Sequence, residues 1–67
     1  MAMTLKAARI NMNLGQEEAA KALGIAQETL SNWENGKTFP NVPQIKKIED
    51  LYGLPYSDII FLTQNTD

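Results

Sequence analysis

Gln27, Glu28, Ser31, Asn32 and Asn35 stand at i, i+1, i+4, i+5 and i+8. On an α-helix those positions share one face. Ordinary solvated faces carry lysine and glutamate, whereas this one is made of short amides and a hydroxyl, with one charge. Glutamine and asparagine can each pair bidentately with adenine in the major groove of DNA, and a carboxylate can accept from the cytosine amino group. Gln27, Glu28 and Asn32 are therefore candidate base readers. The opposite side of the same stretch carries Leu30, Trp33 and Glu34, and Trp33 is assigned to the core.

Charge argues the other way. The chain has a formal net charge of −2, although phosphate neutralisation supplies much of the affinity of DNA-binding domains. Residues 16 to 37 hold four acids (Glu17, Glu18, Glu28, Glu34) and only Lys21 and Lys37 as bases, so the acidic excess lies in the segment that would approach a polyanion. A small acidic interaction domain is the plain alternative. The other bulk properties exclude more than they assign. No histidine or cysteine is present, which removes the usual zinc ligand sets and histidine-activated nucleophiles. Neither a metal nor a cofactor is expected, no acidic pair stands beside a nucleophile, and the chain does not read as an enzyme. It has no apolar run of the roughly 18 residues that a membrane span needs and no signal-peptide pattern. A cytoplasmic location is expected.

The elements that would position these residues are punctuated by glycine and proline. The expectation is one domain over residues 1–67. Thr4 can cap a first helix with Leu5, Ala8 and Met12 on its inner face, and Asn13 can end it in the left-handed conformation. Gly15 opens a second helix, where Glu18 can reach back as half of a capping box. Glu17 and Glu18 then favour the positive end of that helix. Ala19, Ala20 and Leu23 face inward and Gly24 turns the chain. The third helix runs from about Ala26 to Asn35 and stops at Gly36. Asn41 and Gln44 make a capping box for a fourth helix, with Pro43 in its first turn and Ile45, Ile48, Leu51 and Tyr52 along its inner side. Gly53 ends it. Pro55 should start a short fifth helix containing Ile59, Ile60 and Leu62, and residues 63–67 read as a frayed tail. No stretch alternates long enough for a convincing strand.

Two short helices joined through a glycine, with Ala20 four positions before it and Leu30 six after, form a helix-turn-helix pattern over about residues 16–35. The full run LGQEEAAKALGIAQETLSNWENGK, then PN and a helix, then YGLPYSDII, is specific. It resembles the Cro/CI-type, XRE-like helix-turn-helix family of phage and bacterial repressors over residues 5 to 62, and WENGKT is similar to the end of the recognition helix in repressors of the 434 type. The resemblance implies an all-α, compact, five-helix lambda-repressor-like domain that binds operator DNA, usually as a dimer. It assigns base reading to Gln27, Glu28 and Asn32. Phosphate contacts fall to Gln16, Thr29, Asn35, Lys37 and Thr38, with Phe39 packing beneath or beside the loop. Arg9 and Glu34 become an intramolecular salt bridge, and Leu54, Pro55, Tyr56 and Phe61 become the dimer interface. The chain departs from the family in having Gly15, Ala26 and Pro55 where side-chain caps are common, and Asn32 where arginine is frequent. Modest affinity with steep specificity is the expectation.

The function implied is a sequence-specific transcriptional regulator, Cro- or repressor-like, binding a palindromic operator as a homodimer. The rival is a protein-interaction module on the same scaffold, such as an antitoxin that binds a toxin, which the acidic balance favours.

Overall fold

The computed structural model describes residues 2–61. Four helices, α1 (Leu5–Asn11), α2 (Gln16–Leu23), α3 (Gln27–Glu34) and α4 (Val42–Tyr52), are followed by a 3-10 turn at Tyr56–Asp58. Strands β1 (Met3–Thr4) and β2 (Ile59–Ile60) pair in parallel, with Met3 opposite Ile59 and Thr4 opposite Ile60. The expected all-α class and the first four helices stand.

The helix boundaries follow from local chemistry. Thr4 accepts from the Ala7 amide at 3.1 Å. Asn41 and Gln44 exchange side-chain-to-backbone bonds of 2.9 and 2.8 Å, a complete capping box. Helices α1, α2 and α3 each stop in the same way: a left-handed residue (Asn13, Gly24, Gly36) is followed by one whose amide reaches back five residues. The bonds run from Leu14 to Arg9, Ile25 to Ala20 and Lys37 to Asn32, at 3.3, 3.0 and 2.8 Å. These are Schellman stops, normally closed by an apolar residue after the turn. Leu14 and Ile25 fit that rule and pack against the core. Lys37 breaks it and is exposed, so the third stop faces water with its amine outward.

The core joins Leu5 and Ala8 of α1, Ala19, Ala20 and Leu23 of α2, Leu30 and Trp33 of α3, and Ile48 and Tyr52 of α4, with Ile59 from β2. Ala20 is 2% exposed, as the close approach of α2 to α3 requires.

Two expectations are corrected. Met12 is 44% exposed while Arg9 is buried. Helix α1 ends at Asn11, so Met12 lies in the turn and Arg9 completes the inward face. The fifth helix does not form. After Pro55 the chain makes only the 3-10 turn, and the β-branched pair Ile59–Ile60 goes extended against Met3–Thr4, as β-branched residues favour. Ile59 is buried and Ile60 exposed, the alternation of a strand. Leu62 and the tail 63–67 lie outside the described residues.

Candidate nucleic-acid interface

The base of the site is buried and charged. Arg9 donates to both oxygens of Glu34, through Nε to Oε2 at 2.7 Å and Nη2 to Oε1 at 3.3 Å. Its third branch, Nη1, donates to the Leu14 carbonyl at 2.9 Å. Arginine and glutamate are 8% and 6% exposed, so the pair clamps α1 to α3 and ties down the turn before α2. The hydrogen bonds to Glu34 raise the Arg9 pKa above its already high ordinary value, against the opposing cost of burial. The salt bridge read from the resemblance is present. It accounts for Glu34, which faces inward.

From that base a line of amides runs to the surface. Gln16, the first residue of α2, donates from Nε2 to Glu34 Oε1 at 3.1 Å. Its own Oε1 accepts from Gln27 Nε2 at 3.3 Å. Gln16 is half-buried and Gln27 exposed. The first residues of α2 and α3 are thus linked side chain to side chain above the ion pair.

The remaining candidates fall around this line. Glu28 is exposed and, among the described residues, forms no ion pair. Thr29 and Asn32 are half-buried. Asn32 also holds the loop, since its carbonyl accepts from the amides of Lys37 and Thr38 at 2.8 and 3.5 Å. Asn35 is exposed and donates to Ser31 Oγ at 3.3 Å. Lys37 and Thr38 are exposed just beyond. Helix α3 and its following loop therefore present Gln27, Glu28, Asn35, Lys37 and Thr38 to solvent. Glu18 accepts from the Gly15 amide at 2.9 Å, which explains that acid as half a cap, and Glu17 lies in the same first turn. Three of the four acids have local roles, and Glu28 alone is left facing outward without one.

The chain belongs to the XRE-type helix-turn-helix family. The family model described as "Helix-turn-helix" matches residues 5–59, and it carries the DNA-binding helix-turn-helix of transcriptional regulators. The chain is 29% identical over 52 residues to the cryptic phage CTXphi transcriptional repressor RstR of Vibrio cholerae, an alignment covering 78% of this chain and 47% of that protein. It is 30% identical over 56 residues to the HTH-type transcriptional activator BcrR of Enterococcus faecalis, covering 84% of this chain and 28% of the activator. An uncharacterized HTH-type transcriptional regulator of Methanocaldococcus jannaschii is 38% identical over 55 residues, covering 82% and 83% of the two chains. The chain thus spans less than half the length of the first two. No solved structure matches significantly. No described helix is long and apolar enough to cross a membrane.

A second exposed surface lies at the C-terminal segment. Phe61 packs tilted against Phe39 at 5.0 Å between ring centroids and stacks on Tyr56 at 5.4 Å. Phe39 is 54% and Tyr56 48% exposed, so Phe39 joins this cluster instead of lying under the α3 loop. Pro55 is exposed, while Leu54 is half-buried against the core. Two polar features also escaped the sequence reading. The amide line was invisible because Gln16 and Gln27 are 11 residues apart, on different helices. The Glu49 carboxylate accepts from the Tyr56 amide at 2.7 Å and does the work of the cap that Pro55 cannot provide.

Proposed function

We propose that the protein is a sequence-specific DNA-binding transcriptional regulator of the Cro/repressor kind that binds a palindromic operator as a homodimer in the cytoplasm. The observation that carries this reading is the outer face of α3, where an amide-rich surface with one charge begins at a glutamine anchored to a buried ion pair. In this reading Gln27, Glu28 and Asn32 read base edges in the major groove. Gln16, Thr29, Asn35, Lys37 and Thr38 hold phosphates and set the register. Gln16 keeps one Nε2 hydrogen free for a phosphate after donating to Glu34. Glu28 accepts from a cytosine amino group and repels other edges, so its charge serves selection.

The dimer forms through Leu54, Pro55, Tyr56 and Phe61, extended by Phe39. Two exposed rings, Phe39 and Tyr56, packed on the half-buried Phe61 are the composition that self-association favours, with Leu54 half-buried beside them. A two-fold dimer places the two recognition helices about 34 Å apart, one turn of DNA. Of these phosphate contacts only that of Lys37 is cationic, so a dimer neutralises two phosphates through it and the log–log salt slope of binding is about −2.

A random-duplex selection followed by titration on the best sequence tests this. A palindromic site with half-sites about one turn apart, whose recovery Gln27→Ala and Asn32→Ala abolish, is the expected result. A folded, monodisperse protein that enriches no site, or a salt slope near zero, would overturn it and favour the interaction-module reading. Capture of a stoichiometric protein partner would then identify the antitoxin-like role.

A further inference from the structure

We infer that Asn35 is a site of spontaneous deamidation, and that the carboxylate so formed loosens the protein's hold on DNA. The effect on binding rests on the DNA-binding reading; the chemistry does not. Of the chain's asparagines, Asn35 alone precedes a glycine. The fold requires that glycine. Gly36 ends α3 at φ 77°, a left-handed conformation that other side chains resist. Glycine has no side chain to crowd its own nitrogen. The residue that stops α3 therefore also leaves the amide after Asn35 open to react.

The reaction needs only water. The Gly36 nitrogen loses its proton and bonds to the side-chain carbonyl carbon of Asn35, and the side-chain nitrogen leaves as ammonia. The product is a cyclic imide, a succinimide. Water then opens one of its two carbonyls. One opening gives aspartate. The other gives isoaspartate, with the backbone rerouted through the side-chain carbon. Nothing is oxidised or reduced, and both products carry a carboxylate.

The fold sets the rate. Asn35 is exposed, so water reaches it. At ψ 0°, however, the Gly36 nitrogen eclipses the Asn35 nitrogen and faces away from the side chain it must attack. Its N–H donates to the Trp33 carbonyl at 3.2 Å, and the next amide, that of Lys37, donates to Asn32 at 2.8 Å. The Asn35 side-chain amide donates to Ser31 Oγ at 3.3 Å. Ring closure must turn ψ and release these bonds, so it proceeds through opening of the α3 stop, and helix ends open more readily than a core. The consequence is electrostatic. Lys37 is the one cation among the assigned phosphate contacts, and a carboxylate two residues before it opposes that charge beside a polyanion. The amide's donors are also exchanged for acceptors, which a phosphate oxygen cannot use.

The experiment ages the protein at mildly alkaline pH in three states: free, bound to the best duplex from selection, and unfolded in urea. Conversion at residue 35 is followed by peptide mass and by separation of aspartate from isoaspartate. The expected result is conversion at Asn35, slower in the folded protein than in urea by roughly tenfold or more, slower again on the duplex, and absent from Asn35→Gln, which would have to close a larger ring. Binding is then titrated with Asn35→Asp and Asn35→Ala, whose unfolding midpoints show that both fold. Asn35→Asp should bind roughly fivefold or more weaker than Asn35→Ala, with a salt slope moved toward zero. A folded protein that keeps Asn35 intact while the urea-unfolded chain converts would overturn the site. Asn35→Asp binding as tightly as Asn35→Ala would overturn the effect on DNA. A protein that selects no duplex removes the DNA-binding reading and the effect on binding with it, while the mass of the aged free protein still decides the site.

Discussion

Gln27 to Thr38 and Pro55 to Phe61 both carry exposed side chains, yet they are held in place by different forces. The first is fixed by directional contacts: the Arg9–Glu34 pair, the line of amides above it and the carbonyl of Asn32 on the loop amides. The second rests on stacked rings, one carboxylate–amide bond and a two-residue parallel pairing. Hydrogen bonds fix orientation as well as distance. Apolar contact is non-directional and roughly proportional to area. A surface that must present donors and acceptors in a set order needs the first kind of support, and one that only needs to exclude water from a partner can use the second.

The sharpest way to break the directional region is Glu34→Ala. It leaves Arg9 buried with the Leu14 carbonyl as its remaining partner. Losing one member of a buried pair costs about 3–5 kcal/mol, a large share of the stability of a 67-residue chain. Urea unfolding should show the midpoint collapse. The double variant Arg9→Met, Glu34→Leu should recover most of the loss, because replacing both charges with apolar groups removes the orphan. A double variant as unstable as the single one would mean that the pair does more than neutralise itself.

In the apolar region the matching test is the strand register. Ile59 is 6% exposed and Ile60 is 46% exposed. Ile59→Ala should cost about 2–5 kcal/mol, and Ile60→Thr should change stability by less than about 0.5 kcal/mol. Equal effects at the two positions would contradict the strand and favour the helix that Pro55 was expected to begin.

Tyr52 sits between the two regions, at the end of α4 and electrostatically coupled to Arg9 and Glu34. It is 3% exposed, and its buried hydroxyl has no hydrogen-bond partner among the described residues. Burial, reinforced by the Glu34 charge and opposed by Arg9, pushes its pKa up to about 12 from 10.0. The folded state therefore holds this proton more tightly than the unfolded chain. The associated stability is fully present below pH 10, falls as the unfolded chain ionises, and is lost by about pH 12. By linkage that is on the order of 3 kcal/mol. Thermal melts across that window should show the decline in the native protein. Tyr52→Phe should flatten it and stay near neutral in stability below pH 10, since the hydroxyl it removes is unsatisfied.

The boundaries of α2, α3 and α4 were legible because each is set by residues next to it: Gly24, Gly36 and Gly53 at the ends, Asn41 with Gln44 at a start. Helical spacing also separated the buried side of α3 from its amide side. The β1–β2 pair was not legible. It joins residues over fifty positions apart through two-residue strands, too short for any alternation to register. The same limit hid Phe39 against Phe61 and Glu49 on the Tyr56 amide, both settled by how the C-terminal segment folds back. Arg9–Glu34 was readable only through the family resemblance, because nothing in helical periodicity marks an arginine as inward.

The smallest effect distinguishes how the two regions treat a missing cap. Ala26 and Pro55 both precede a helical turn in extended geometry, and neither side chain caps it. At Pro55 the neighbouring Glu49 carboxylate takes the first free amide. No such substitute stands before α3 among the described residues. Ala26→Ser should therefore stabilise the fold by about 1 kcal/mol, the usual worth of a serine cap. Pro55→Ser should yield less, because Glu49 already satisfies the Tyr56 amide and proline restricts the unfolded chain. Unfolding midpoints of the two variants measure the difference directly. A gain at Ala26 without one at Pro55 would show that the amino end of α3 carries an uncompensated cost while the C-terminal turn does not. Equal gains would mean that the Glu49 contact contributes little.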